Sequence, residues 1–159
     1  MSAPIRIAAA ADTQDVARFF SGVYESRRGR GAATSQGLFE RTIDVLFPRE
    51  DAPTVLLYIA DGDIHGVVAF RIDPDRQRAE LVTVQAHDTV RGRSAAQQLL
   101  GETVRHCDRE GVPVLVTDVP AADVRARGFL RREGFAVVID GAADEAAPEE
   151  GVVTYARSV

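Results

Sequence analysis

The chain has 159 residues, of which 45% are hydrophobic and 27% charged, a composition typical of one globular domain and not of a disordered chain. Its formal net charge of −5 disfavours nucleic-acid binding, because phosphate recognition requires a concentrated positive face. The single cysteine, Cys107, excludes an internal disulfide, and the three histidines lack the spacing of a metal motif, so we expect no metal. We also expect a cytoplasmic protein without membrane contact, since the sequence shows no run of about 18 apolar residues and no secretory signal.

The spacing of hydrophobic residues predicts the elements in chain order, with a period of two for strands and of 3.6 for helices. The first half is predicted as a strand over 4–8, a helix that ends near Arg27, a helix over 35–48 and strands over 55–60, 64–72 and 79–86. The second half is predicted as a helix from 95 that ends at Gly111, a strand over 113–117, a helix over 121–133 and strands over 135–139 and 152–155. Asp12 or Thr13 is the expected cap of the first helix.

The order of the predicted elements is β-α-α-β-β-β-α-β-α-β-β. Strands mixed with helices predict an α/β (α+β) fold, and the central meander predicts a mixed, mostly antiparallel sheet flanked by helices. No repeat, low-complexity tract or linker interrupts the pattern, so we expect a single domain over residues 1–159. The acidic segment 141–151 is predicted as a solvated hairpin tip between the last two strands.

The segment from Glu80 to Ala96 carries the main functional signal, because it is predicted as a strand, a turn and the start of a helix. The first turn of a helix presents about four backbone N–H groups without partners inside the helix, beside the positive end of its dipole. Arg91 and Arg93 add positive charge, and small residues allow a diphosphate to approach closely. These small residues are Gly92, Ser94, Ala95 and Ala96. The same residues also suit an ordinary helix start with a serine cap and exposed arginines, and both interpretations stay open.

This turn resembles the R/Q-x-x-G-x-G/A acyl-CoA signature of the GNAT N-acetyltransferase superfamily. Arg91 occupies the first position of the signature, and Ala96 occupies the last, where alanine is allowed. Ser94 departs from the signature, because it stands where the first glycine is usual and adds a side chain at the point of phosphate approach. The order of the predicted elements is similar to that of the family over most of the chain.

A second segment, residues 123–135, resembles the family motif N-x-x-A-x-x-x-Y-x-x-x-G-F. Ala126 and the final Gly134-Phe135 match the motif. Asp123 replaces the usual asparagine and brings negative charge near the implied cofactor channel. Leu130 replaces the usual tyrosine, and leucine cannot protonate the departing CoA thiolate as that tyrosine does in the family. The three tyrosines of the chain, Tyr24, Tyr58 and Tyr155, are candidate replacements, and water or substrate are further sources of the proton.

The resemblance implies that the chain binds acetyl-CoA as co-substrate, without a metal. Backbone amides of the turn would hold the pyrophosphate, and backbone groups at the end of the preceding strand would pair with the pantetheine arm as an added strand. One of these amides would polarise the thioester carbonyl, as an oxyanion hole does. The implied cofactor-binding residues are Val84, Gln85, Ala86, Arg91, Gly92, Arg93, Ser94, Ala95, Ala96 and Asp123.

Glu80 is the candidate catalytic base. It lies eleven residues before Arg91, where several histone acetyltransferases of the family carry a catalytic glutamate. A carboxylate can accept the proton of an attacking ammonium, directly or through water. An exposed strand residue without a catalytic role is the alternative.

Two hypotheses follow. The first is an N-acetyltransferase that transfers acetyl from acetyl-CoA to a primary amine of a small molecule or peptide by direct attack. The second is a catalytically impaired acyl-CoA-binding module with a regulatory or interaction role, which Leu130 favours. The sequence leaves a homodimer open.

Overall fold

A computed structural model of the chain describes residues 4–28, 53–87, 94–138 and 151–159. Its strands and helices are β1 (Ile5–Ile7), α1 (Thr13–Arg28), β2 (Thr54–Ala60), β3 (Asp63–Asp73), β4 (Arg78–Ala86), α2 (Ala95–Arg109), β5 (Val114–Pro120), α3 (Val124–Arg132), β6 (Ala136–Val137) and β7 (Val152–Ser158). These elements confirm the predicted mixed order. The predicted helix over 35–48 lies outside the described residues, as does the predicted hairpin tip apart from Gly151.

The strands of the described residues form a seven-stranded sheet with the order β1-β2-β3-β4-β5-β7-β6. The pairs β1–β2, β2–β3, β5–β7 and β6–β7 are antiparallel, and the pair β4–β5 is parallel. The predicted mostly antiparallel sheet is therefore confirmed. Among the helices that the structure describes, none has the length and apolar character needed to cross a bilayer.

Some boundaries differ from the prediction because tertiary contacts decide them. β5 continues to Pro120 and β7 to Ser158, since the two strands pair along their whole lengths. α3 begins at Val124, three residues later than predicted, because Asp123 accepts a hydrogen bond from the Ala126 amide at 3.0 Å and caps the helix. Gly134 follows the predicted end of this helix at residue 133, and its φ of 86° favours glycine.

Contacts divide the chain into two compact units. The first comprises Met1–Arg71 and Val82–Thr103, and the second comprises Ile72–Leu81 and Val104–Val159. In the first unit, one face of α1 packs against β2 and β3, as the helical spacing of its apolar residues predicts. The buried residues of this core are Val16, Phe19, Val23, Val55, Leu57, Val67 and Ala69.

In the second unit, burial alternates along β5 and β7. Thr117 and Tyr155 are in register across these strands and are buried on one face of the sheet. α3 covers that face, because the Arg127 side chain donates a hydrogen bond from Nε to the Tyr155 hydroxyl at 3.1 Å and another from Nη1 to the Ala121 carbonyl at 2.8 Å. The other face carries the exposed residue Asp118.

The start of α1 is tied to β1 by a two-armed ion pair. Both Arg6 guanidinium arms donate to Asp12 carboxylate oxygens at 2.8 Å, and the Ala9 amide donates to the same carboxylate at 2.7 Å. The Thr13 hydroxyl donates to the Ala10 carbonyl. Both side chains therefore stabilise the 3-10 turn before α1, which differs from the predicted helix cap. The Arg6 hydrogen bonds, followed by that of Ala9, lower the pKa of Asp12 to about 2.

Asp12→Asn should lower the free energy of unfolding near pH 7 by about 1 kcal/mol, because the ion pair is partly exposed. Since the folded-state pKa lies below the ordinary value of 3.8, the stabilisation is complete above pH 4 and is lost as pH falls toward 2. Urea unfolding at several pH values measures the difference between variant and wild type. Asp15→Asn is the control, because its partner Arg18 and Asp15 are both largely exposed, and it should change stability little. An Asp12→Asn deficit that does not shrink in acid would contradict this account.

Candidate functional site

The first turn of α2 lies very close to β3 and β4 within the first unit. A Cβ built on Gly66 would stand 2.8 Å from Leu99 Cδ1, 3.3 Å from Ala95 Cβ and 3.4 Å from the Gln85 carbonyl oxygen. Ala95 and Leu99 are fully buried, so neither side chain can move away easily. The missing side chain at Gly66 therefore lets the start of the helix and the end of β4 approach a common point.

A β-bulge in β3 precedes this glycine. The β2–β3 register shifts between Tyr58 and Ile59, with His65 as the extra residue of β3. The His65 carbonyl accepts a hydrogen bond from the His87 amide at 2.9 Å, and the His87 ring meets the Phe19 ring edge to face at a centroid distance of 4.9 Å. These contacts fix the backbone at His87, just beyond the end of β4.

Ser94 caps α2 through a reciprocal pair of hydrogen bonds. Its hydroxyl accepts from the Gln97 amide at 3.1 Å, and the Gln97 side-chain oxygen accepts from the Ser94 amide at 3.3 Å. The serine cap is therefore present. Neither bond uses the amides of Ala95 and Ala96, which begin the helix and have no acceptor inside it. These two amides fit an anion at the positive end of the helix dipole, whereas the Gln97 side chain competes for the Ser94 amide.

The parallel ladder between β4 and β5 is short. Arg78–Glu80 pair with Val114–Val116, and at the next position the Thr117 hydroxyl donates to the Leu81 carbonyl at 2.9 Å. A buried side chain thus takes the place of the next backbone hydrogen bond. The remaining residues of β4, Val82–Ala86, lie outside this register and are called the distal stretch of β4 below.

The predicted cofactor-binding residues fall into three groups. Val84, Gln85 and Ala86 are half-buried in the distal stretch of β4, and Ser94, Ala95 and Ala96 form the start of α2. Both groups belong to the first unit, and the Gly66 contact brings them close together. Asp123 belongs to the second unit, where its carboxylate caps α3. Arg91, Gly92 and Arg93 lie outside the described residues.

The predicted base and the substituted acid position both lie in the second unit. Glu80 is exposed at the last paired position of β4, opposite Val116. Leu130 is 3% exposed, so the position of the usual tyrosine is filled by a packed core residue. Cys107 is also a buried core residue, and burial raises the pKa of its thiol. Within the described ranges, no group of three or more histidine, cysteine or acidic side chains could hold a metal ion.

The sequence profile of the Acetyltransferase (GNAT) family matches residues 21–135. The chain belongs to this acetyltransferase family. The match includes residues 91–96 and 123–135, the two segments that carry the motif resemblance. Comparison with curated protein sequences gave no significant match.

Solved structures of the GNAT family share the fold. An acetyltransferase from Staphylococcus aureus Mu50 has a TM-score of 0.71 and 14% identity, over 97% of each chain. The PaiA N-acetyltransferase of Thermoplasma acidophilum, in complex with coenzyme A, has a TM-score of 0.70 and 15% identity over the full length of both chains. The ribosomal-protein-alanine N-acetyltransferase of Brucella melitensis has a TM-score of 0.67 and 19% identity, over 98% of this chain and 99% of that chain. At these identities the similarity shows the fold alone.

Two residues that shape the candidate site were missed by sequence reasoning. Gly66 lies inside a predicted strand, and a glycine there is itself a signal that another backbone or helix approaches closely. Thr117 gave no such signal, because nothing in an apolar strand segment indicates that its hydroxyl will meet the Leu81 carbonyl of a strand 36 residues away.

Gly66→Ala should destabilise the protein by about 1–3 kcal/mol, since the added methyl overlaps two fully buried side chains. Gly101→Ala is the matched control, because it lies on α2 with no atom within 4 Å of the added Cβ, and alanine favours helix. The control should be as stable as wild type or more stable. Thermal and urea unfolding measure both variants. Equal stability of Gly66→Ala and wild type would mean that α2 does not pack at this distance.

Proposed function

We propose that residues 1–159 act as one N-acetyltransferase domain that transfers acetyl from acetyl-CoA to a primary amine by direct attack. The observation that carries this proposal is the start of α2, held beside the distal stretch of β4 by the contact at Gly66. Family membership supports acetyl transfer, and the similar structure from Thermoplasma acidophilum contains coenzyme A. A cytoplasmic location, where acetyl-CoA is available, is part of this proposal.

The described residues fit acetyl-CoA, which would supply an acetyl group activated as a thioester. The amides of Ala95 and Ala96 suit the anionic diphosphate, and Gly92 with its neighbouring arginines would add to this binding. The backbone of Val84–Ala86 suits an extended arm that bears amide groups, since such an arm can pair as an added strand. In the same stretch, a backbone N–H would polarise the thioester carbonyl.

Glu80 is the proposed base. Its exposed carboxylate would take a proton from the acceptor ammonium, directly or through water. The neutral nitrogen then forms a bond to the acetyl carbon, the carbon–sulfur bond breaks, and the thiolate takes up a proton. Leu130 cannot give that proton. Tyr155 is fully buried with its hydroxyl bonded to Arg127, so we propose that water or the acceptor protonates the thiolate.

The second candidate function is a catalytically impaired acyl-CoA-binding module. The packed Leu130 favours it, because loss of a general acid lowers rates by on the order of 10²–10⁴. Exposed Glu80 favours the enzyme. For the enzyme, the acceptor is a small molecule or a peptide amine. A peptide N-terminus is included because the similar Brucella melitensis structure is that of a ribosomal-protein-alanine N-acetyltransferase. Homodimer formation and the lack of nucleic-acid and membrane partners stay predictions.

Acetyl-CoA and CoA should both bind the wild-type protein in calorimetric titrations. At about 100 times the dissociation constant, each should stabilise the fold by about 2.7 kcal/mol. Gly92→Glu should abolish binding, because it places bulk and negative charge at the predicted phosphate turn. Thiol release from acetyl-CoA with a panel of primary amines then separates the two functions. The enzyme releases CoA, and Glu80→Gln abolishes the release while binding persists. Binding without release would favour the impaired module, and no binding would contradict both.

Gln97→Ala should strengthen acetyl-CoA binding by about two- to fivefold, although it removes half of the reciprocal cap. The Gln97 side chain occupies the Ser94 amide in the absence of ligand, so its removal frees a donor for phosphate. Asp108→Asn, an exposed substitution near the other end of α2, is the control and should leave affinity unchanged. Calorimetry measures all three proteins. Weaker binding by Gln97→Ala would mean that the Ser94 amide does not serve the ligand.

A further inference from the structure

Glu80 and Asp118 lie on one face of the sheet in the second unit. Glu80 is in register with Val116 on the parallel strand β5, and Asp118 follows Val116 by two residues. Since side chains two residues apart point to the same side of a strand, Glu80 and Asp118 share a face. Strand spacing places their Cα atoms roughly 8 Å apart. Both residues are exposed, and the opposite face is the one that α3 covers.

A neighbouring hydroxyl orients the Asp118 carboxylate. Thr154 is the in-register partner of Asp118 on β7, and its hydroxyl donates to Asp118 Oδ1 at 2.6 Å. The second oxygen, Oδ2, has no hydrogen-bond donor among the described residues. Asp118 is therefore an exposed carboxylate that Thr154 holds through one of its two oxygens. Glu80 has no such tether in the described part of the chain.

Exposed apolar side chains adjoin this carboxylate. Val152 precedes Thr154 by two residues on the same strand and is 60% exposed. Val138 donates its amide to the Thr154 carbonyl at 2.8 Å, which continues the β6–β7 pairing, and it is 44% exposed. Both valines thus share the face of Thr154 and Asp118. A surface that combines a carboxylate with apolar neighbours suits a cation on a hydrocarbon chain.

A positive charge on this face lies nearer to Glu80 than to Asp118. Arg78 is a cation on the same face, two residues before Glu80 on β4, and its in-register partner is Val114. Asp118 lies four residues beyond Val114 along β5, so Arg78 is much closer to Glu80 than to Asp118. Asp118 is therefore the better anchor for a positive ligand, whereas Glu80 lies at the last paired position of the β4–β5 ladder.

We infer that Asp118 binds the ammonium group of the acceptor, and that the acceptor is a primary ammonium carried on an apolar chain, which contacts Val138 and Val152. The inference rests on the proposed acetyl transfer and specifies its substrate class. Glu80 takes one proton from the bound ammonium, so the two carboxylates have different tasks. Asp118 is a specificity-determining residue, and Thr154 is the positioning residue that holds it. A free alkylamine and a peptide N-terminus with an apolar first residue share this chemistry.

The test measures binding without turnover. n-Hexylamine is titrated calorimetrically into protein saturated with CoA, and a hexapeptide with a free N-terminal leucine is titrated separately. Asp118→Asn should weaken binding of the preferred probe by about 10- to 100-fold, because a hydrogen-bonded charge is lost. Thr154→Val, which keeps the shape but removes the hydroxyl, should weaken probe binding several-fold. Thr154→Ser keeps the hydroxyl and should bind the probe like wild type. Asp108→Asn is the control. It makes the same substitution at an exposed aspartate on α2, and the variant should bind the probe like wild type.

Two further comparisons separate the roles. Val152→Ser should weaken n-hexylamine binding but leave ethylamine binding unchanged, because only the longer chain reaches the valine. Glu80→Gln should abolish thiol release while n-hexylamine affinity is retained. Comparison of the two probes shows whether the acceptor is an alkylamine or a peptide N-terminus. Loss of binding of either probe in Asp118→Asn supports the inference.

Each failure has a distinct signature. Acetyl-CoA binding by wild type, with equal affinity of wild type and Asp118→Asn for both probes, would overturn the role of Asp118 and leave the proposed function intact. Failure of wild type to bind either probe in the presence of CoA would overturn the inferred acceptor class. Failure of wild type to bind acetyl-CoA would overturn the proposed function itself.

Discussion

The approach of α2 to β3 at Gly66 determines where the candidate cofactor groups lie. Because position 66 carries no side chain, Ala95 and Leu99 pack directly over the strand, and the start of the helix comes close to the Gln85 carbonyl. The amides at the helix start and the backbone at the end of β4 are thereby presented together. The bulge at His65 and the anchoring of His87 support this arrangement from the neighbouring strand. Packing rather than any single polar contact thus creates the geometry on which a cofactor role depends.

The early end of the β4–β5 ladder is the second constraint. The Thr117 hydroxyl satisfies the Leu81 carbonyl where the backbone pairing stops, so a buried acceptor is not left unpaired. Without this bond, ending the ladder at Glu80 would carry the cost of a desolvated carbonyl. The backbone pairing of β4 with β5 can therefore end at Glu80, and the rest of β4 lies outside that register. Glu80 and Asp118 stand on either side of this change, on the exposed face of the second unit.

The sequence predicted what depends on local periodicity and missed what depends on contacts across the fold. The apolar stripe of α1 and the glycine stops at Gly111 and Gly134 were predicted, since each follows from neighbouring residues and both glycines adopt positive φ. The prediction that Asp12 caps α1 was wrong, because Arg6 on β1 binds that carboxylate. The Thr117 bond and the pairing of Asp118 with Thr154 join strands 36 residues apart, so no local pattern indicates them. For the candidate site, motif spacing predicted a phosphate-binding turn and a base at Glu80, and both stay predictions; it gave no sign of Gly66 or Thr117.

Because Cys107 is buried, the labelling of its thiol measures the opening of α2. Cys107 is the single cysteine of the chain and lies in the apolar face of α2, with no exposed surface. A thiol reagent added to the native protein therefore reacts at once with any free coenzyme A in the solution. It reacts with Cys107 only when α2 transiently detaches from the sheet. The rate of Cys107 labelling therefore measures how often this helix opens, and a ligand that binds at its first turn lowers that rate.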